Sequence, residues 1–202
     1  MLGGKRTDSL RGTALILAAG ASVRFGSDKK DIPFANKTLL QHTVELYCTV
    51  FRKVLVVVRA PINKKVTSFP ENVETVIATD ARHGLSQSLR AGIVHAQKDP
   101  WIVVGLMDMP YVNVRTLENL AARMESTTAA IVRLRFKEQY GNPVGFKQEC
   151  YSQLCELTGD QGARTLFHTG KFRVETLEVD DRGILIDIDT PEQLNEYRSS
   201  DS

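Results

Sequence analysis

The chain has 202 residues, with 26 Lys plus Arg against 24 Asp plus Glu, so its formal charge is +2 with the histidines neutral. That near-balance argues against a general nucleic-acid or membrane-surface binder, which carries a surplus of Lys and Arg. The 42% hydrophobic and 25% charged shares exclude collagen-like, disordered and integral membrane classes.

At this length one domain buries roughly 70% of the surface its unfolded chain exposes, so a core forms without staples. Cys48, Cys150 and Cys155 are too few and too scattered for a disulfide framework, and reduced thiols in the cytoplasm are expected. Residues 1–12 carry Lys5, Arg6, Asp8 and Arg11 without an apolar segment, which reads as a loose leader rather than a secretory signal. Residues 13–198 read as a single domain and residues 199–202 as a frayed tail. No apolar stretch approaches the roughly 20 residues needed to span a bilayer.

Residues 13–19, T-A-L-I-L-A-A, are continuously apolar up to Gly20, the pattern of a strand buried on both faces. Leu39, Leu40, Val44 and Tyr47 share a helical face. Residues 54–58 and 73–78 read as two further strands, and residues 85–96 as a helix through Leu85, Leu89, Ile93 and Ala96. The run 102–107 is a fourth strand, with Trp101 packing at its start, and residues 114–124 follow as a helix. Strand alternates with helix, so an α/β architecture with a parallel sheet flanked by helices is expected. The order then loosens. Residues 130–135 read as a strand and 137–143 as a polar turn, with Gly141, Asn142 and Pro143 as breakers. Residues 150–157 and 163–169 read as short helices and 173–179 as a strand. Residues 190–197 read as a terminal helix capped by Thr190 with Pro191 in its first position.

Ligands of open parallel sheets collect beyond the carboxyl ends of the strands. After the first strand comes G-A-S-V-R-F-G-S-D-K-K, residues 20–30. Its amides could wrap a polyphosphate while Arg24 and Lys29 neutralise charge; a solvated surface loop is the alternative. Five residues separate Gly20 from Gly26, and Ser22 stands where a dinucleotide fingerprint needs glycine, so neither a Walker loop nor a nicotinamide site is present. Asp108 ends the fourth strand. It suits Mg²⁺, which takes one or two carboxylates with phosphate oxygens and waters, or it caps the following helix. Asp187 and Asp189 lie in D-I-D-T-P, where Thr190 can serve as the cap and leave Asp189 for other work. Gly84, Ser86 and Ser88 open a helix whose free amides can bind an anion or read a ribose or base, unless the serines only satisfy the helix end. Asp160 and Arg164 sit in G-D-Q-G-A-R, where Arg164 faces a phosphate in one reading. The histidines show no metal-ligand spacing, and no Ser or Cys has the setting of a nucleophile.

Six segments in order, L-A-A-G-A-S-V-R-F-G, G-L-S-Q-S-L-R-A-G, D-M-P, G-N-P-V-G-F, T-G-D-Q-G-A-R and D-I-D-T-P-E-Q-L, resemble those of the MobA-like nucleotidyltransferases, and within them the molybdenum cofactor cytidylyltransferases. The resemblance covers nearly all of the chain after residue 12. It implies a Rossmann-like nucleoside-diphospho-sugar transferase fold, with a mostly parallel sheet and an irregular second half for the acceptor. By resemblance, Ala18, Ala19, Gly20, Arg24 and Lys29, or Lys30 one place on, hold the triphosphate, and Gly84, Ser86 and Ser88 help select the base. Asp108 and Asp189 would hold Mg²⁺. Asn142, Pro143, Asp160, Arg164 and Asp187 would meet the acceptor. Guanylyl-transferring relatives usually carry A-G-G where this chain has Ala18-Ala19-Gly20, which favours CTP. The family commonly has His at the position of Asn142, and its leader is shorter.

The expected activity is attack of the molybdopterin phosphate on the α-phosphorus of CTP with release of pyrophosphate. The expected partners are CTP, molybdopterin or molybdenum cofactor, and a molybdoenzyme or its maturation chaperone. The competing readings are a nucleotidyltransferase for another phosphorylated acceptor such as a sugar phosphate, and a non-catalytic carrier of the pterin cofactor.

Overall fold

The computed structural model describes residues 10–19, 32–34, 36–62, 68–81, 84–159, 162–190 and 193. Its centre is a seven-stranded sheet built from β1 (Thr13–Leu17), β4 (Val54–Val58), β5 (Val73–Ile77), β6 (Trp101–Leu106), β7 (Ile131–Phe136), β8 (Gln139–Lys147) and β9 (Val174–Glu178), in the order β5-β4-β1-β6-β8-β7-β9. A small antiparallel pair, β2 (Pro33–Phe34) and β3 (Lys37–Thr38), precedes α1 (Leu39–Cys48). The pairings β5-β4, β4-β1, β1-β6 and β7-β9 are parallel. Strand β8 is antiparallel to both β6 and β7, so among these seven strands it alone is reversed. The other six send their carboxyl ends to one rim, and β8 starts there.

The apolar runs form strands because both faces of the sheet are covered. Ala14 and Ile16 of β1 join one core and Leu15 and Leu17 the other; Val54, Val56 and Val58 of β4 divide from Leu55 and Val57 in the same way. On the first face lie α1 and α3 (Val114–Ser126), through Leu40, Val44, Tyr47, Leu117 and Leu120. On the second lie α2 (Leu85–His95) and α4 (Tyr151–Glu156), through Leu89, Ile93 and Leu154. Burying one such side chain stabilises the fold by roughly 1.5–3 kcal/mol, so these alternating sets fix the register. Helix α1 begins in a capping box: Thr38 Oγ1 accepts from Gln41 N, and Gln41 Oε1 accepts from Thr38 N.

The second half departs from expectation in one respect. The polar stretch 137–143 is not one turn. Only Lys137 and Glu138 turn the chain, both with positive φ (43° and 60°), as a two-residue hairpin loop requires. Gly141, Asn142 and Pro143 lie inside β8, where the register against β7 jumps from Arg133–Val144 to Leu134–Gly141. Two extra residues, Asn142 and Pro143, are thus looped out, and a bulge is where a strand tolerates proline; the peptide between them is cis. Gly141 is needed there: a Cβ at this position would lie 2.1 Å from the Ile184 carbonyl oxygen. The two short helices expected around 150–157 and 163–169 are α4, preceded by a 3₁₀ turn, and a 3₁₀ helix over Gly162–His168. Beyond Thr190 only Gln193 is described, so the terminal helix lies outside the described residues apart from its start. Among the described residues, no helix is long and apolar enough to cross a membrane.

Candidate active site

The rim of the sheet carries the residues that follow the strands. After β1 come Ala18 and Ala19, 7% and 2% exposed. Arg59, the residue after β4, donates from Nη2 to the Ala19 carbonyl at 3.2 Å. Sequence reasoning passed over Arg59, although its place just after an apolar run is the signal applied to Asp108. Gly20, Arg24, Lys29 and Lys30 lie outside the described residues, as does Asp160.

Asp108 follows β6 in a turn fixed from behind, where the buried Thr43 hydroxyl donates to the Met107 carbonyl at 2.8 Å. It is not the cap of α3. Asn113 takes that place, its side-chain oxygen accepting from Arg115 N at 2.9 Å. The D-I-D segment reaches Asp108 across 79 positions of chain: Ile188 N donates to the Asp108 carbonyl at 2.8 Å. Ile188 is fully buried with Ile32, Phe34 and Leu39, leaving Asp187 exposed and Asp189 partly buried beside it. Thr190 takes the cap position, accepting from Gln193 N while Gln193 Oε1 accepts from the backbone of Asp189 and Thr190. Cap duty therefore falls to Thr190 and not to the Asp189 carboxylate.

What carries D-I-D to this place is a buried carboxylate. Asp181 accepts from Asn113 N at 2.8 Å, Thr116 Oγ1 at 2.6 Å and Gly183 N at 2.8 Å. It joins the start of α3 to the 3₁₀ turn Arg182–Leu185, which runs directly into D-I-D. The turn is held close on two sides. A Cβ on Gly183 would lie 1.9 Å from the Tyr111 carbonyl, and Gly141 meets Ile184 as noted above. Asp181 was not singled out in the sequence; as one of several acidic residues beside D-I-D it carries no distinguishing local signal.

The carboxylates fit a hard divalent cation. Asp108 and the D-I-D acids stand on adjacent backbone segments, and one or two carboxylates are what Mg²⁺ takes from a protein when phosphate supplies further ligands. No cluster of three or more His, Cys, Asp or Glu side chains able to hold a metal forms among the described residues, so substrate oxygens would complete the coordination.

Beside these acids the bulge opens the sheet. Pairing of β6 with β8 ends at Val104–Val144, and beyond it lies a cavity of about 530 Å³. Asn142 and Arg164 both line it, together with Leu85 of the first turn of α2, so three of the sequence-derived motifs converge there. Pro143 is in the bulge but not in the cavity wall. Gly84 takes a positive φ of 112° as the cap residue of α2 and makes no side-chain cap bond. Ser86 and Ser88 are buried, and the Ser86 hydroxyl has no hydrogen-bond partner among the described residues. The cap position of α2 belongs to Gly84 and not to either serine. Three further lining residues escaped the sequence reading: Arg133, Tyr140 and Phe167. The Arg133 guanidinium lies 3.6 Å from the Tyr140 ring centroid and 4.2 Å from that of Phe167. Burial lowers its pKa, opposed by Tyr140 and reinforced by the like charge of Arg164. A second cavity of about 520 Å³, beside the edge strand β5, is lined by residues such as Pro61, Phe69 and Ile77 and, among the described residues, by no ionisable side chain.

An acid-bearing rim after parallel strands, beside a cationic cavity, is an arrangement for phosphoryl chemistry. A family model described as the MobA-like NTP transferase domain matches residues 14–176. The chain belongs to that family. It is 29% identical over 198 residues to the purine catabolism protein PucB of Bacillus subtilis strain 168, covering 91% of this chain and 94% of that one. It is 27% identical over 192 residues to a probable molybdenum cofactor guanylyltransferase of Nostoc sp. PCC 7120, covering 90% and 88%. Crystal structures of Rv0371c from Mycobacterium tuberculosis H37Rv, at 25% identity, superpose with a TM-score of 0.81 over 96% of this chain and 100% of that one. For the complex of that protein with manganese the TM-score is 0.72, over 94% and 99%. The Rossmann-like nucleotidyltransferase fold expected from the sequence is the one observed.

Proposed function

We propose that this MobA-like nucleotidyltransferase joins CMP from CTP to molybdopterin and releases pyrophosphate. The observation that carries the reading is the hydrogen bond from Ile188 N to the Asp108 carbonyl, which seats two acid-bearing segments side by side at the rim of the sheet.

The acceptor phosphate attacks the α-phosphorus of CTP. A new P–O bond forms, the bond to the bridging oxygen of the β-phosphate breaks, and the electron pair leaves with pyrophosphate. A phosphate monoester has a second pKa of about 6 and is largely ionised at neutral pH, so no general base is needed. The work left to the chain is to align two anions. At about 4 Å and an effective dielectric of about 20, each like-charge pair costs about 4 kcal/mol. Arg24 and Lys29 of the first loop offset that repulsion on the triphosphate side, and Arg164 on the acceptor side. Asp108 and Asp189 would hold Mg²⁺, whose contribution when bound is to withdraw charge from the leaving pyrophosphate. Gly84, Ser86 and Ser88 face the nucleoside, and Asn142, Pro143, Asp160 and Asp187 the acceptor. The choice of CTP rests on the resemblance at Ala19, which stands where guanylyl-transferring relatives usually carry glycine.

A second reading, GTP as donor, is favoured by the similarity to the probable molybdenum cofactor guanylyltransferase of Nostoc. Incubation with each nucleoside triphosphate in turn, with Mg²⁺ and molybdopterin, separates the two by pyrophosphate release. Turnover with CTP is expected; turnover with GTP alone overturns the base assignment, and failure of every triphosphate to yield pyrophosphate overturns the activity.

A further inference from the structure

Arg133 is a half-buried cation with which no carboxylate pairs among the described residues. The like charge of Arg164 is near enough to disfavour its charged form further. Tyr140 and Phe167 pack against the Arg133 guanidinium and hold it in place. Arg133 belongs to a cavity wall. Removing a guanidinium from water without a partner is unfavourable, so the arrangement is complete only with an oxygen-rich ligand group in the cavity.

The sheet register says how far that group lies from the reaction. Arg133 pairs with Val144, which pairs with Val104, which pairs with Leu15. All four positions face α2 and α4, because their neighbours Val132, Leu134 and Val103 belong to the opposite core. Asp108 lies two strands away and four residues further along, so the two Cα atoms are about 16 Å apart for a strand spacing of about 4.8 Å and a rise of about 3.3 Å. The guanidinium is held against Tyr140 of β8 and Phe167 of the 3₁₀ helix, neither of which stands on β6, so it stays on the order of 10 Å from the Asp108 carboxylate. One phosphate cannot occupy both places.

Building on the nucleotidyl-transfer reading, we propose that Arg133 is a distal anchor for the acceptor. Its N–H edge binds an oxygen-bearing planar or anionic group on the order of 10 Å from the phosphate that reacts. The acceptor class is therefore two-ended: a phosphate monoester carried on an extended, ring-bearing skeleton, which a short sugar phosphate does not match. Arg133 would then set specificity without touching the reacting atoms.

The test compares the wild-type protein with R133Q and R133K in pyrophosphate release, using molybdopterin and, separately, glycerol 3-phosphate as acceptors. Acceptor binding is also titrated directly in the absence of nucleotide. Loss of a charge-assisted forked hydrogen bond should raise the molybdopterin KM of R133Q by about tenfold to a hundredfold. The KM for the triphosphate, which also reports that the variant is folded, and the slow turnover of glycerol 3-phosphate should not change. R133K distinguishes the ligand group, since a planar oxygen edge is lost with the fork whereas a plain anion is retained by the lysine charge. Turnover of molybdopterin with an unchanged KM in R133Q overturns the anchor and leaves the transfer reading standing. Tight use of another phosphorylated acceptor, weakened by R133Q, keeps the anchor and corrects the acceptor. If molybdopterin is neither bound nor used, and short esters serve as well as any other acceptor, both fall.

Discussion

Replacing Asp181 by asparagine tests whether the buried tie places the acids of D-I-D or merely stabilises the fold. The side-chain oxygens of Asp181 divide their work: Oδ2 accepts from Asn113 N and Thr116 Oγ1, Oδ1 from Gly183 N. Asparagine can keep the first pair with its carbonyl, but its amide then meets the Gly183 N–H donor to donor. A hydrogen bond to a charged acceptor is worth about 1.5–3 kcal/mol, and a buried donor left without a partner costs about 1–3 kcal/mol. D181N should thus lose about 2–3 kcal/mol, a fall in Tm of about 4–12 °C for a chain of this size. Freed from Asp181, the turn at Arg182–Leu185 shifts, and with it D-I-D; a misplacement on the order of 1 Å can cost about a hundredfold in rate. The Mg²⁺ concentration for half-maximal pyrophosphate release should rise several-fold. T116V is the control, since it removes another bond to the same carboxylate and leaves the Gly183 contact intact. It should lower Tm by a similar amount without moving the Mg²⁺ midpoint. Equal Mg²⁺ midpoints in the two variants, with both destabilised, would refute the positioning argument.

Two further expectations follow from the rim and from the small core beside it. D108N should lower turnover by about a hundredfold to a thousandfold, by analogy with loss of a charge-stabilising group. Its Tm should stay near that of the wild type because Asn113, not Asp108, caps α3; an unchanged Mg²⁺ response would remove Asp108 from the site. His42 packs against Phe34 with ring centroids 4.6 Å apart and the rings tilted by 54°. Burial depresses its pKa below 6.5, against the Pro110 backbone and Glu45, which raise it, and with Lys37, which lowers it further. Its neutral form is favoured by folding, so its contribution is present above pH 6.5 and is lost as pH falls through the lower folded value. Thermal melts of the wild type should therefore fall more steeply between pH 7 and 5 than those of H42Q; parallel curves would contradict the assignment.

The first two-thirds of the fold was legible because the central parallel strands are buried on both faces and are written as plain apolar runs, as in T-A-L-I-L and V-L-V-V-V. The hairpin of β7 and β8 was not. Its turn is made by Lys137 and Glu138, in a left-handed conformation that side chains such as theirs seldom adopt, while the residues that look like a turn, Gly141-Asn142-Pro143, form a bulge within the strand. Misreading the turn also hid Tyr140 and the cavity beside it. Asp108 and D-I-D could be picked out by position and motif, yet nothing in the chain order says that they touch.

The sequence alone determined which segments become buried strands, which residues follow them at the sheet's rim, and the family to which those motifs belong. These are local matters, settled by apolar periodicity and by the few residues at each strand end. Only the tertiary structure decided that Asp181 ties two distant turns together, that Ile188 lies against Asp108, and that Arg133 faces a cavity with no carboxylate paired to it among the described residues. Those outcomes depend on strand order, on the reversal of β8 and on a two-residue slip in register, and each is set by packing between segments far apart in the chain.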